Sequence, residues 1–290
     1  MAPSIRPSPR TVRAELTSYP EETSVMTDTT RSTQHRIHSH QRLDADVSQY
    51  SPMRVLAIWA AAALPMAVLA WGVAPRLADA LDGPTALSRA LILSLTAGMF
   101  WQLVLVLVFV RREQGTLRWS VLKSALWLRA PQSPRTGKRG GRVWWVLVPL
   151  IVLFAAEEFL PLLPTPASRD LGLFLGSPAG QQFLSGNWLW LAICVVMFAL
   201  NTALGEELLF RGLLLPRMRG AFGRWDWVAN GVLFAVYHLH VPWVIPQTLV
   251  VDTFVLGYSS RRYRSALIGI AVHSAQSVFF TILVLGLVLK

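Results

Sequence analysis

The feature that most constrains this chain is a series of long apolar runs. A helix needs about 20 mainly apolar residues to cross the hydrocarbon core of a bilayer. Runs of that kind occupy roughly residues 54–74, 88–110, 143–163, 187–210, 228–245, 247–260 and 265–288. Composition agrees: the 290 residues are 53% hydrophobic and only 15% charged, where a soluble domain carries about 25% charge. A soluble enzyme, a disordered regulator and a coiled coil are excluded. The expected fold is all-α, a polytopic transmembrane helix bundle of about seven spans. The sixth run is short, and Pro242 and Pro246 break the chain before it. The fifth and sixth runs are therefore expected as a bent or re-entrant pair.

Charge divides the chain further. Residues 1–52 carry six basic and six acidic residues, are rich in Ser, Thr and Pro, and contain no apolar run. They read as a disordered polar tail without the apolar stretch of a signal peptide, with Met26 and Met53 as alternative starts. Residues 53–186 form an N-terminal set of transmembrane helices, and 187–290 a core in which the informative residues lie. The whole net charge of +11 falls in residues 53–290. It concentrates in short loops, a membrane-topology pattern that argues against a nucleic-acid partner. Loop 111–142 holds nine basic residues against Glu113, and loop 211–226 holds Arg211, Arg217, Arg219 and Arg224 against Asp226. Arg261, Arg262 and Arg264 follow the sixth run, while 75–87 and 164–186 are nearly neutral. This alternation puts the tail and the three basic segments in the cytosol. Segment 116–128 mixes Trp and Leu with basic residues, as an interfacial helix or a partly ordered loop would. The 24 Arg against 3 Lys suggest a GC-rich bacterial genome and hence the plasma membrane. Trp144, Trp145, Trp188 and Trp190 lie at run ends, as an aromatic belt does. The single Cys194, inside an apolar run, reads as a packed hydrophobe.

Ionisable groups inside spans are costly and usually face the bundle interior or water. Glu206 and Glu207 with Arg211 close the fourth run, Phe234 and His238 lie in the fifth, Asp252 in the sixth, and His273, Gln276 and Ser277 in the seventh. At about 1.5 Å per residue, Glu206 lies roughly 7 Å in from Arg211, His238 about 15 Å in from the start of its run, and His273 about 12 Å in from Ser265. One carboxylate and two imidazoles from three helices therefore share the cytosolic half of the bilayer. A carboxylate beside a neutral imidazole can take a proton from water and return it, and a second imidazole can stabilise an oxyanion. Glu with two His is also a zinc ligand set. Either route is water-activated hydrolysis of an acyl bond, most naturally a peptide. Glu207 and Arg211, four apart, suit an intrahelical ion pair. Glu206, about 100° around the helix, is then free to act as general base. Phe234, one turn before His238, can pack over and dry the site, and Ser277, one turn after His273, can bond a polarised oxygen.

These motifs resemble the CPBP family of membrane proteases, which includes CAAX prenyl-protein endopeptidases, bacteriocin-processing enzymes and abortive-infection proteins. The family pattern is EExxxR, FxxxH and HxxxN on separate helices. This chain has EELLFR at 206–211, FAVYH at 234–238 and HSAQS at 273–277, a resemblance covering roughly residues 187–288. It implies an intramembrane endopeptidase acting on a membrane-associated peptide or protein near the cytosolic face. Glu206 and His238 would activate water and His273 would support the oxyanion. The cofactor stays open: a divalent metal such as zinc held by Glu206, His238 and His273, as in a metalloprotease, or a metal-free glutamate mechanism. One departure is Ser277, which stands where the family has Asn and reaches less far. It leaves open a weak or inactive member acting as an immunity or scaffold protein. A small transporter with a proton relay is the third reading, against which the lack of evident inverted repeats weighs. A host without prenylated proteins would offer no CAAX substrate. Beside these residues, Tyr237 and His240 read as pore-lining or interfacial. Asp252 reads as structural, and Glu157 and Glu158 as an interfacial pair near the opposite face.

Overall fold

Hydrocarbon offers no water to bond backbone groups, so a chain of such runs is driven into helices. The computed structural model describes residues 47–159 and 163–290, without the side chains of Glu158 and Phe159. Residues 1–46 of the expected tail, and 160–162 of the third run, lie outside the described residues. In order, α1 is Pro52–Asp79 and α2 Ala86–Gln114. The short α3 is Trp119–Ala125 and α4 is Gly141–Ala155. Then come α5, Leu171–Gly176, and α6, Pro178–Leu184. Next are α7, Trp188–Arg217, and α8, Asp226–Tyr237. Residues 245–263 form α9, and Ala266–Val288 is α10. Among the described residues there is no strand, only one isolated antiparallel bridge between Gln132 and Arg139.

Four of these helices, α1, α2, α7 and α10, are long and apolar enough to span a bilayer. The other three expected spans are shorter. The third run begins as the apolar α4. The fifth and sixth form a hairpin. Its first arm, α8, has 12 residues, about 18 Å of rise against a hydrocarbon core of about 30 Å. The chain leaves α8 through a 3-10 turn at His238–His240, passes Pro242 and returns along α9. Gly231 lets the arms approach closely, since a Cβ there would collide with Thr253. An ion pair of 2.7 Å between Arg261 Nε and Asp226 Oδ2 joins the two open ends.

Tryptophan indoles fasten this hairpin to α1. Trp59 Nε1 donates to the Leu233 carbonyl at 2.7 Å and Trp71 Nε1 to the Leu239 carbonyl at 2.9 Å. Leu239 lies beyond the end of α8, where carbonyls lack intrahelical partners, and an apolar surround leaves such a carbonyl dependent on a side-chain donor.

The packed structure starts before the 53 expected from composition. Val47 and Tyr50 are buried. The Tyr50 amide donates to the Arg217 carbonyl at 2.9 Å, and the Gln49 side chain bonds Pro216 and Gly220. Burial holds the Tyr50 hydroxyl pKa well above its ordinary value, so it stays protonated and donates to Glu113. Glu113 also meets Arg54 at 2.8 Å and the buried Arg217 at 3.0 Å. Isolated polar residues in a low-hydropathy stretch gave no hint of this cluster, because its partners lie on α2 and α7.

Candidate active site

Helix α7 is not a plain α-helix where it matters. A π-helical segment, Leu200–Gly205, precedes Glu206 and Glu207, and a second, Leu208–Leu214, follows them. Such wide turns interrupt the ordinary hydrogen-bond ladder and are frequent at functional sites. The two adjacent carboxylates diverge from this point.

Glu207 is fully buried and faces α10. Its Oε1 lies 3.3 Å from Arg211 Nη1 and 3.2 Å from His273 Nδ1. Arg211 is fully buried too. Its guanidinium carbon stands 3.9 Å over the Phe234 ring, so the cation is matched by a carboxylate on one side and a π face on the other. Gly269, one turn before His273, makes the room: a Cβ there would strike Glu207 Oε2. The expected ion pair of Glu207 and Arg211 is thus present, and it extends to His273.

Glu206 faces α8. Its Oε1 accepts from the Tyr237 hydroxyl at 3.1 Å, and that oxygen accepts from Gln102 Nε2 of α2 at 2.6 Å. All three side chains are buried. From sequence, Tyr237 reads as pore-lining or interfacial, and Gln102 carries no motif. The available signal was an amide inside a strongly apolar run, where an unbonded amide is costly.

His238 heads the turn after α8. Its Nδ1 lies 2.9 Å from the Phe234 carbonyl. A carbonyl only accepts, so Nδ1 carries the proton and Nε2 keeps the lone pair of the neutral ring. His273 Nδ1 lies against the Glu207 carboxylate, which only accepts, so a proton sits on that nitrogen too. The Phe234 ring packs edge-on against His238 at 4.9 Å and lies 6.5 Å from the His273 ring. Phe154 of α4 closes the other side of His273 at 5.4 Å.

Glu206, His238, His273 and Phe234 line one cavity of about 250 Å³. Glu157, Asn201, His240, Asp252 and Gln276 share its walls. Three expectations change here. Glu157 borders this cavity, because α4, which ends just before it, packs against α10. Asp252 lines it as well, with Oδ1 buried and unpaired. Ser277 turns away: its hydroxyl bonds the Phe198 carbonyl at 3.3 Å and Thr202 Oγ1 at 3.1 Å, while Thr202 also meets Ser274 at 3.2 Å. These hydroxyls join α10 to α7 outside the cavity. A short side chain at 277 can reach the neighbouring helix and no further.

The metal option does not fit this arrangement. Among the described residues no three His, Cys, Asp or Glu side chains are grouped so as to hold an ion. Glu206, His238 and His273 share a cavity wall without converging on a common ligand point, and Glu206 is turned to Tyr237. No step below passes through a metal.

Residues 187–279 match the family model described as type II CAAX prenyl endopeptidase Rce1-like. This segment is similar to that family. It contains α7, the α8–α9 hairpin and the first half of α10, and so every residue that the three motifs named. The match ends short of residues 53–186, although Gln102 and Phe154 reach the site from there. The Rce1-like match supports a CAAX-type endopeptidase in general terms, and with the four long apolar helices it supports an integral membrane protein. Among curated proteins and among solved structures, no match to the chain is found.

Proposed function

We propose that the chain is an intramembrane endopeptidase that hydrolyses a peptide bond in a membrane-associated peptide or protein, near the cytosolic face of a bacterial plasma membrane. The observation that carries this reading is the meeting of Glu206, His238 and His273, from three separate segments, on one cavity.

In this mechanism Glu206 is the general base. A water between Glu206 and His238 Nε2 gives its proton to the carboxylate, and its oxygen attacks the scissile carbonyl carbon. The carbonyl electron pair moves onto oxygen and forms a tetrahedral oxyanion. The proton held by Glu206 then passes to the leaving amine as the C–N bond breaks. Tyr237, itself held by Gln102, orients Glu206. Glu207 holds His273 through Nδ1 and balances Arg211. Phe234 and Phe154 exclude bulk water, which strengthens every polar contact inside.

The test is a comparison of membrane peptides from cells carrying the wild-type chain and Glu206→Gln. Specific precursors should accumulate in the variant at equal membrane abundance of the protein. An identical peptide profile in both strains overturns the proposal and favours the immunity or scaffold reading, which Glu206→Gln would then complement fully.

A further inference from the structure

The site as described has a base and imidazoles, and Ser277 faces away from it. A tetrahedral oxyanion needs a donor aimed at it. We propose that Asn201 supplies that donor, so that the amide comes from α7 and not from α10. This rests on the endopeptidase reading above.

Three observations converge on Asn201. It lines the cavity that holds Glu206, His238 and His273, and also a neighbouring, mainly apolar cavity of about 220 Å³. With His240, Val241 and Gln276 it stands at the junction of the two cavities, where a substrate strand passing between them would bring its carbonyl. Its carboxamide makes no hydrogen bond to the protein among the described residues, while Gln276, the other amide that lines both cavities, is already engaged. Finally, the helix geometry aims it. In an α-helix, residues five apart lie about 140° from one another around the axis. Here the Glu206 amide bonds the Asn201 carbonyl in a π turn. That i to i+5 bond closes one wide turn, bringing residue 201 under residue 206 on the same face. The wide turn thus sets a carboxylate and an amide one above the other on a single wall.

The step is the one already written. As the water oxygen bonds the carbonyl carbon and its proton goes to Glu206, the charge forming on the carbonyl oxygen accepts an N–H from Asn201 Nδ2. An amide offers two such protons.

The experiment uses Asn201→Asp, which keeps the size and removes the donor, with Asn201→Ala beside it. The probe is the precursor that accumulates in Glu206→Gln membranes, added to purified full-length protein in detergent. Both variants should accumulate the same precursors in cells. Their kcat should fall by about 10²–10³-fold, as for loss of one oxyanion donor, with KM within about twofold. Normal kcat in Asn201→Asp, or a change in KM alone, overturns the proposal. If Asn201→Ala lowers membrane abundance, the isosteric Asp variant decides. Precursors that accumulate with Glu206→Gln but not with Asn201→Asp sink the Asn201 assignment alone. No accumulation with Glu206→Gln sinks the endopeptidase reading and this one with it.

Discussion

His273 meets Glu207, the second carboxylate of the pair, at 3.2 Å. The neighbouring Glu206 is bonded to Tyr237 instead. The two acids thus serve different partners: one balances charge and holds an imidazole, the other stands in the cavity.

Removing the buried anion alone strands a cation. Glu207→Gln should destabilise the protein by about 3–5 kcal/mol, the usual cost of breaking a buried pair from one side. Glu207→Gln with Arg211→Met should recover much of that loss. Thermal unfolding in detergent measures both. Precursor cleavage should remain impaired in the double variant, because a neutral amide oxygen holds His273 less firmly than the carboxylate did.

Gly269→Ala puts a methyl group where Glu207 Oε2 lies. Overpacking of this kind costs about 1–3 kcal/mol. Cleavage should fall more than stability, since the displaced group is the one holding His273. The same substitution at Gly286, which has open space around it, should leave both unchanged.

Tyr237→Phe removes the donor to Glu206 and leaves Gln102 Nε2 facing an apolar ring edge. An unpaired buried polar group costs about 1–3 kcal/mol, and the looser carboxylate should lower kcat by about tenfold, near 1.4 kcal/mol. Unaltered kcat on the accumulated precursor would remove Tyr237 from the mechanism.

Trp71→Phe deprives the Leu239 carbonyl of its donor. Without that donor, the hairpin turn that carries His238 should loosen. We expect a loss of about 1–3 kcal/mol in detergent unfolding, together with faster proteolysis between residues 238 and 246.

Because no three metal-ligating side chains converge among the described residues, the cavity of purified protein should hold far less than one zinc per chain, by elemental analysis of wild type against Glu206→Gln. Phenanthroline should leave precursor cleavage intact. Stoichiometric zinc that depends on Glu206 would require this side chain to leave Tyr237 and would overturn the arrangement described.

Much of this was legible along the chain. Apolar run lengths gave the helical class, and prolines at 242 and 246 marked the hairpin, because a helix cannot pass through them without losing bonds. The spacing of Glu207 and Arg211 foretold their ion pair, since residues four apart share a helix face. The three motifs named Glu206, His238 and His273, which do share one cavity. Less visible were Gln102 and Tyr237: single polar residues with no periodic pattern, whose partners are distant in sequence.

The sequence by itself determined a membrane-embedded helical protein, with a handful of polar groups that had to be buried together. Hydrophobicity is additive along a chain, so it can be read from residues alone. Only the tertiary structure decided which carboxylate meets which partner, that Ser277 faces α7, and that α8 is too short to cross. Those outcomes depend on helix rotation and close approach. The π turns on either side of Glu206 and Glu207, together with the space left by Gly269, set them, and neither a π turn nor a neighbour's distance is encoded in local composition.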